Sequence, residues 1–120
     1  HLNHSVYVQL FETGRIELLD SVGLGLHDLE EQGYRFVVSR IETRFLASAV
    51  GGDSLVIETG VVENRRASSR WGQRNLRGDK VLATQEVLAA VTDTGGRPVR
   101  PPAFIGEALA SFTIGQDGAS

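Results

Sequence analysis

Cysteine is absent from this sequence of 120 residues. Its absence excludes a disulfide scaffold, a thiolate nucleophile and every zinc or iron–sulfur site that is built on cysteine. A chain of this size buries about two-thirds of the surface that its unfolded form exposes, so a core can form without such cross-links. Any catalytic group in this chain is therefore expected to be an oxygen or a nitrogen group.

Long apolar runs are also missing. No stretch approaches the ~20 consecutive apolar residues that span a bilayer, and no charged segment followed by an apolar core opens the chain. Twelve Lys and Arg stand against fifteen Asp and Glu, a net charge of −3, which is too acidic for a protein that mainly neutralises nucleic-acid phosphates. We therefore expect a soluble, cytoplasmic protein whose partners include neither nucleic acid nor membrane.

Methionine is absent as well, and Lys80 is the single lysine among the twelve Lys and Arg residues. A chain without methionine does not begin at an initiator residue, so we expect further residues N-terminal to His1. The excess of arginine is interpreted as a compositional bias. The length fits one domain over residues 1–120, with a flexible tail over about residues 114–120.

A helical period opens the chain from Ser5 to about Ser21, where apolar residues recur at spacings of three and four with polar residues largely between them. The apolar positions are Val6, Tyr7, Leu10, Phe11, Leu18 and Leu19. Ser5 or Asn3 is a candidate N-cap, because a short oxygen side chain accepts from the first amides of a helix. Gly14 lies within the apolar face and costs about 1 kcal/mol relative to alanine, so it indicates close approach by another backbone.

A period of two replaces the helical period after Gly33, and it predicts strands joined by short turns. The predicted strands are Arg35–Leu46, Asp53–Asn64, Arg65–Leu76 and Lys80–Thr92. The predicted turns are Gly51-Gly52-Asp53, Arg77-Gly78-Asp79-Lys80 and Thr94-Gly95-Gly96. Pro98, Pro101 and Pro102 then forbid ladder pairing, and a short helix is predicted over Ala103–Phe112.

Alternation also assigns faces within the strands. One face of the first strand is predicted to carry Val37, Ser39, Ile41, Thr43 and Phe45, and the other face Arg40, Glu42 and Arg44. In the second strand the inward positions are Leu55, Ile57, Thr59 and Val61. A helix followed by four strands with short turns predicts an α+β fold, an antiparallel sheet with the helix across one face. Free sheet edges invite aggregation, so we expect a further strand N-terminal to the chain, a dimer that pairs edges, or both.

The segment His1–Tyr7 resembles the helix-entry motif of the hotdog-fold acyl-thioester hydrolases, in particular the 4-hydroxybenzoyl-CoA thioesterase-like branch. The branch pattern runs roughly Asp, a short turn, Gly-His-Val-Asn-Asn, two residues, Tyr. The segments that continue the resemblance are Phe11-Glu12, Arg15-Ile16-Glu17, Gly52-Asp53-Ser54-Leu55, Gly78 to Thr92, and Gly96-Arg97-Pro98 with Pro102. The resemblance implies a hotdog fold, a long central helix wrapped by an antiparallel sheet whose first strand precedes His1. It also implies thioester hydrolysis without a cofactor, coenzyme A being part of the substrate.

The start of the helix also suits this chemistry on physical grounds. A helix start presents amides that have no partner within the helix, together with the positive end of the macrodipole. Negative charge builds on the carbonyl oxygen during thioester hydrolysis, and a preorganised amide stabilises that transition state more than the ground state. We therefore predict an oxyanion site at amides between His4 and Val6, and the resemblance implies the same place.

The resemblance assigns further catalytic roles around this start. It places the carboxylate that acts as nucleophile or general base on an Asp a few residues before the motif histidine, upstream of His1 here. His1 matches that histidine and would orient a water, the carboxylate or the substrate. Asn3 matches the first Asn and would fix the loop or hydrogen-bond the acyl group, unless it is only a cap. His4 replaces the second Asn, as a loop-fastening residue or a proton carrier.

Three more residues have two interpretations each. Tyr7 fits either the core or a catalytic role. Glu12, on the polar flank of the helix, is either solvated or salt-bridged, or it is a carboxylate that acts across a dimer interface as in other hotdog branches. His27 lies in a predicted polar loop with acidic neighbours, where a solvated side chain is favoured over a metal ligand. No metal site is predicted.

Arginines concentrate on the third predicted strand and its flanking turns; they are Arg65, Arg66, Arg70, Arg74 and Arg77. Guanidinium groups suit phosphate geometry, so the first four are predicted to bind coenzyme A or the phosphopantetheine of a carrier protein. The alternative is a solvated edge strand whose arginines pair with Glu63 and Glu86.

The sequence thus predicts a thioesterase that hydrolyses an acyl-CoA or an acyl-carrier protein in a tunnel between the subunits of a homodimer or of a dimer of dimers, a homotetramer. One alternative is a non-catalytic hotdog module that binds an acyl thioester. Another is a dehydratase or hydratase, but the Asn two residues after His1 favours the thioesterase pattern.

Overall fold

A computed structural model describes residues 4–47, 54–65 and 67–112. In order along the chain, these residues form α1 (His4–Ser21), α2 (Leu26–Glu31), β1 (Tyr34–Phe45), β2 (Val56–Asn64), β3 (Ser68–Arg77), β4 (Lys80–Asp93) and α3 (Ala103–Ala110). The four strands form one antiparallel sheet in the order β1-β4-β3-β2. The predicted helix followed by an antiparallel four-stranded sheet is confirmed. Within the described ranges, no helix combines the length and apolarity that crossing a membrane requires.

Helix α1 packs against the sheet where the sequence predicts it. A Cβ added to Gly14 would lie 3.0 Å from Ile57 Cγ2, 3.0 Å from Thr59 Oγ1 and 3.3 Å from Gln73 Nε2. The predicted close approach is therefore confirmed. The close atoms are side-chain atoms of β2 and β3, however, and not the backbone that the sequence led us to expect.

Strand β1 departs from the predicted alternation. A register shift between Val38 and Arg40 leaves Ser39 as an extra residue, which is a β-bulge. Because a slip of one residue reverses the faces of all following side chains, Val37 lies on the opposite face from Ile41. The predicted face that joined these two residues is wrong, since a pattern of period two carries no mark of a bulge.

Helix α2 lies where the sequence predicted a polar loop, and this expectation is wrong too. Leu29 is buried and anchors the short helix against the rest of the protein. His27 is exposed on α2, and its Nε2 lies 3.6 Å from a carboxylate oxygen of Glu31, one turn later. Among the described residues no group of three or more His, Asp or Glu side chains gathers at one place.

The turns after β3 and β4 follow the sequence with one correction. Gly78 has a φ of +61°, which the predicted β3–β4 turn requires. Pro98 forms an isolated bridge with Thr92, and the Val99 N–H donates to the Val91 carbonyl at 3.1 Å. The prolines therefore do not forbid pairing altogether, because a proline removes only its own N–H. The predicted turn at residues 51–53 and the predicted tail lie outside the described residues.

Two apolar clusters fill the space between the helices and the sheet. The large cluster consists of Leu18, Leu24, Leu29, Val61, Trp71, Val87, Ala89, Val91, Ile105 and Leu109. The small cluster consists of Tyr7, Phe11, Leu82 and Ala83. Helix α1 thus contributes its first turns to the small cluster and its last turn to the large one.

Candidate active site

The start of α1 is packed against one aromatic ring of β1. The His4 ring stacks on Phe45, with ring centroids 3.8 Å apart and planes 10° apart. Tyr7 lies one turn further along α1, with its ring centroid 5.9 Å from Phe45 at a tilt of 52°. His4 is exposed, whereas Tyr7 is buried. The structure therefore brings these two predicted site residues together around Phe45, which sequence analysis did not single out as a site residue.

Burial places Tyr7 within the small cluster, which fits the core interpretation of this residue. Glu12 is exposed on α1. Burial lowers the pKa of Arg15, and the charge of Glu12, one helical turn earlier, acts in the opposite direction. Glu12 therefore lies in the electrostatic reach of Arg15 rather than alone in solvent. His1 and Asn3 lie outside the described residues, so their roles stay predictions.

A line of polar side chains, which we call the polar row, crosses the sheet beneath α1. Its members face one another in register on β1, β4, β3 and β2; they are Thr43, Gln85, Gln73 and Thr59. The Gln73 side-chain amide donates to the Phe11 carbonyl at 2.7 Å and to Thr59 Oγ1 at 3.0 Å. The Gln85 amide donates to Thr43 Oγ1 at 2.8 Å. Within the polar row, Gln73 thus links β3 to β2 and to the backbone of α1, and Gln85 links β4 to β1.

Arg15 completes this network from the helix side. Its Nη1 donates to Gln73 Oε1 at 2.7 Å and also to Gln85 Oε1. Both glutamine carbonyls are neutral acceptors, so hydrogen bonds to uncharged groups hold this partly buried guanidinium. These hydrogen bonds hold α1 at one distance from the sheet and in one rotation about its own axis. They thereby also position the first turn of the helix.

Sequence analysis missed this network, although one signal was present. Gln73 and Asn75 follow Trp71 at a spacing of two, which puts polar side chains on the face that carries the buried tryptophan. Polar residues at inward positions of a strand need partners, and Arg15 on the predicted helix was a candidate.

Arg70 and Arg74 of β3 lie on the side of the sheet opposite α1. Gln73 of β3 points toward α1, because its side chain donates to the Phe11 carbonyl. Successive side chains of a strand point to opposite faces, so Arg70 and Arg74 project from the face that α1 does not cover. Strand β3 lies between β4 and β2, so the edge strand proposed as the alternative is wrong. The structure therefore separates these arginines from the start of α1.

Each described arginine of the predicted phosphate site contacts a carboxylate. Arg65 Nε lies 2.9 Å from Glu63, and the hydrogen bond from this guanidinium holds the pKa of Glu63 below its ordinary value. Arg70 lies 3.5 Å from Glu63 and 3.2 Å from Glu86. Arg74 Nε donates to Glu58 at 2.9 Å. The expected pairing with Glu63 and Glu86 is confirmed, and Arg66 lies outside the described residues.

One cleft runs along the middle of α1. It has a volume of about 510 Å³ and lies between the helix and β2, with a lining that includes Leu10, Gly14 and Ile57. The lining does not include His4 or Tyr7. The cleft therefore flanks the helix beyond the predicted oxyanion position rather than at it.

Comparison with known proteins gives consistent matches over nearly the whole chain. The family model described as the thioesterase-like superfamily matches residues 1–109. The acyl-CoA thioesterase YbgC of Haemophilus influenzae is 33% identical over 110 residues, which cover 91% of this chain and 79% of that protein. The chloroplastic acyl-acyl carrier protein thioesterase ATL3 of Arabidopsis thaliana is 25% identical over 120 residues, which cover 98% of this chain and 63% of that protein.

A solved structure is similar in three dimensions. The thioesterase of Thermus thermophilus, crystallised with coenzyme A and Zn, superposes with a TM-score of 0.77 at 26% identity. The superposition covers 93% of this chain and 81% of that one. The two chains therefore share one fold.

Proposed function

The chain belongs to the thioesterase-like superfamily, and from this premise we infer how its structure serves the hydrolysis of acyl thioesters. The family match spans α1 and all four strands, and both curated relatives are named thioesterases. The hotdog fold and the hydrolase activity predicted from the sequence are thereby confirmed. The position and the residues of the active site are our proposal.

We place the reaction at the first turn of α1. The positive end of the helix macrodipole lies there, and it stabilises the oxyanion that forms when an oxygen nucleophile attacks the thioester carbon. A carbon–oxygen bond forms, the carbon–sulfur bond breaks, and the thiolate leaves and takes up a proton. Amides between His4 and Val6 are the proposed oxyanion site. The resemblance implies that the carboxylate that acts as nucleophile or general base precedes His1 in the chain.

The single observation that supports this position is the packing at the start of α1. Stacking on Phe45 fixes the His4 ring, and the buried Tyr7 fixes the turn that follows. Preorganised groups stabilise a transition state because they need no reorganisation when charge develops. His4 is the exposed polar ring at this point and is proposed to orient substrate or carry a proton.

The substrate is proposed to be an acyl-CoA or an acyl-carrier protein, following the names of the two relatives. The arginine patch is proposed to bind phosphate by exchanging carboxylate partners such as Glu63 for phosphate oxygens. Replacing Arg65 and Arg66 by alanine should then raise KM for CoA esters more than it lowers kcat. Unchanged kinetics in this double variant would remove the patch from the proposal.

A homodimer, alone or paired into a tetramer, is proposed as the assembly. Strands β1 and β2 are the edges of the described sheet. Apolar side chains of β1 are exposed, among them Val37, Val38 and Ile41, and an exposed edge with apolar side chains favours pairing with a second chain. Light scattering at micromolar concentration should give at least twice the monomer mass, and a monomer would overturn this assembly.

Hydrolysis across a panel of acyl-CoA esters tests the proposed function directly. The full-length protein should release free thiol from at least one of the aromatic, short-chain and long-chain esters. Binding without turnover would favour the non-catalytic module. Loss of water across a hydroxyacyl ester, without thiol release, would favour the dehydratase.

A further inference from the structure

One buried side chain near the start of α1 has no hydrogen-bond partner among the described residues. Asn75 of β3 is 0% exposed, and neither its Oδ1 nor its Nδ2 makes a hydrogen bond within the part of the chain that the structure describes. Buried polar groups in folded proteins are almost always hydrogen-bonded. An orphaned carboxamide therefore needs an explanation, because desolvating it costs free energy that an apolar side chain would not cost.

The other buried carboxamides of the same sheet face are satisfied. Gln73 donates to the Phe11 carbonyl and accepts from Arg15, and Gln85 donates to Thr43 and accepts from Arg15. The lack of partners at Asn75 is therefore not a general property of amides beneath α1. It is specific to one position.

The strand register locates that position. Asn75 lies between Ile57 of β2 and Ala83 of β4. It follows Gln73 by two residues, about 7 Å along a strand, and Gln73 lies beneath Phe11. Tyr7 precedes Phe11 by four residues, about 6 Å along a helix, and shares a cluster with Ala83. Asn75 therefore lies beneath the turn of α1 that contains Tyr7, next to the proposed reaction centre.

The surroundings define the ligand chemistry. The small cluster supplies aromatic and aliphatic walls from Tyr7, Phe11 and Leu82, and Asn75 supplies one donor group and one acceptor group among them. Apolar walls with a few polar groups are typical of small-molecule sites. A hydroxyl both donates and accepts, so it can satisfy Oδ1 and Nδ2 together, whereas a hydrocarbon chain satisfies neither.

We propose that Asn75 is a specificity-determining residue, and that its carboxamide selects acyl groups that carry a hydroxyl near the thioester over the corresponding plain acyl groups. This inference rests on the proposed function, because it takes the first turn of α1 as the place of the thioester. Asn75 is sealed in the free protein. The hydroxylated acyl group therefore reaches the carboxamide by displacing apolar contacts of the small cluster.

Substrate pairs test this selection. Butyryl-CoA is compared with its 2-hydroxy and 3-hydroxy derivatives, and kcat/KM is measured for each. The wild-type protein should favour at least one hydroxylated ester by about tenfold, the value of one hydrogen bond that an analogue cannot make. A wild-type ratio near one for both derivatives overturns the proposal.

Two variants that are isosteric with each other test whether the Asn75 side chain causes this selection. Asn75→Val removes every hydrogen-bonding atom and should bring the ratio close to one. Asn75→Thr has nearly the same shape as Asn75→Val but carries a hydroxyl that can donate and accept, so it should retain part of the preference. Equal ratios in the wild type and in Asn75→Val overturn the assignment. Asn64→Val, at the exposed end of β2, is the matched control and should leave the ratio unchanged.

Two further measurements, the unfolding temperatures of the variants and the Kd values of the esters, test the proposal independently of turnover. Asn75→Val should unfold at a temperature no lower than that of Asn75→Thr, because valine has no polar group to bury; a clearly lower value contradicts an orphaned amide. If the wild type hydrolyses none of the esters, the proposed function fails, and the same ratios are then read from Kd by calorimetry. Equal Kd values for the three esters overturn the proposal on Asn75 separately.

Discussion

The two ends of the helix-facing sheet surface treat buried polar groups differently. At the large cluster the buried Trp71 indole donates to Ser69 Oγ at 2.9 Å. At the small cluster Asn75 has no partner among the described residues. The polar row lies between the two ends. One end is therefore built for packing, and the other retains an unsatisfied group beside the proposed reaction centre, as stability is often sacrificed at functional sites.

Truncation in the large cluster should have the largest effect on stability. Ile105→Ala removes one methylene and two methyl groups from the buried side of α3, and about 2–5 kcal/mol of unfolding free energy should be lost. The KM for acyl-CoA should stay unchanged in the folded fraction. Urea unfolding and steady-state kinetics measure the two quantities. A raised KM would break the division between a packing end and a chemical end.

Filling the contact at Gly14 should have the next largest effect. A Cβ there meets Ile57 and Thr59 at 3.0 Å, and the two further methyl groups of Gly14→Val need still more room. Overpacking of this kind costs about 1–3 kcal/mol. Thr13→Val is the matched control, since Thr13 is exposed on the same helix. Equal unfolding free energies for the two variants would show that α1 can move away from the sheet freely.

The polar row should couple α1 to the sheet by a smaller amount. In a double-mutant cycle of Arg15→Met and Gln85→Met, the coupling free energy should be about 1 kcal/mol, because each single change leaves the other partner with a lost hydrogen bond. Urea unfolding of the four proteins gives this value. Strict additivity would mean that the row does not position the helix.

The exposed ion pair between Arg65 and Glu63 should contribute least to the free energy of unfolding. The hydrogen bond from Arg65 lowers the pKa of Glu63, so the contribution of this exposed pair is complete above the ordinary pKa of glutamate. It disappears as the pH falls through the lowered folded-state value. The small difference in urea midpoint between wild type and Glu63→Gln should therefore be present at about pH 7 and should shrink as the pH falls below the ordinary pKa of glutamate. A difference that grows toward acid would contradict this sign.

Local patterns predicted the elements better than they predicted the interior. The 3.6-residue period and Gly14 identified α1, and alternation with glycine turns identified all four strands. The bulge at Ser39 escaped, because inserting one residue leaves both halves of an alternating pattern intact. Helix α2 escaped because its six residues are mostly polar and are held by one buried side chain, Leu29.

The candidate site was likewise predicted only in part from the sequence. The motif placed His4 and Tyr7 at the helix start, but their common contact Phe45 lies far away in sequence and depends on the sheet register. Asn75 could be assigned to the inward face from its spacing to Trp71. Whether a buried amide has a partner depends on every surrounding side chain, so its orphaned state required the structure.

The central claim is that thioester hydrolysis takes place at the first turn of α1. The most direct measurement is kcat/KM for the best acyl-CoA ester in His4→Ala and Tyr7→Phe, beside Ile16→Ala and Ser21→Ala near the other end of the same helix. The account predicts a loss of at least about tenfold in one or both of the first pair and no change in the second pair. Equal values in all four folded variants, or a loss confined to the far end of α1, would contradict it.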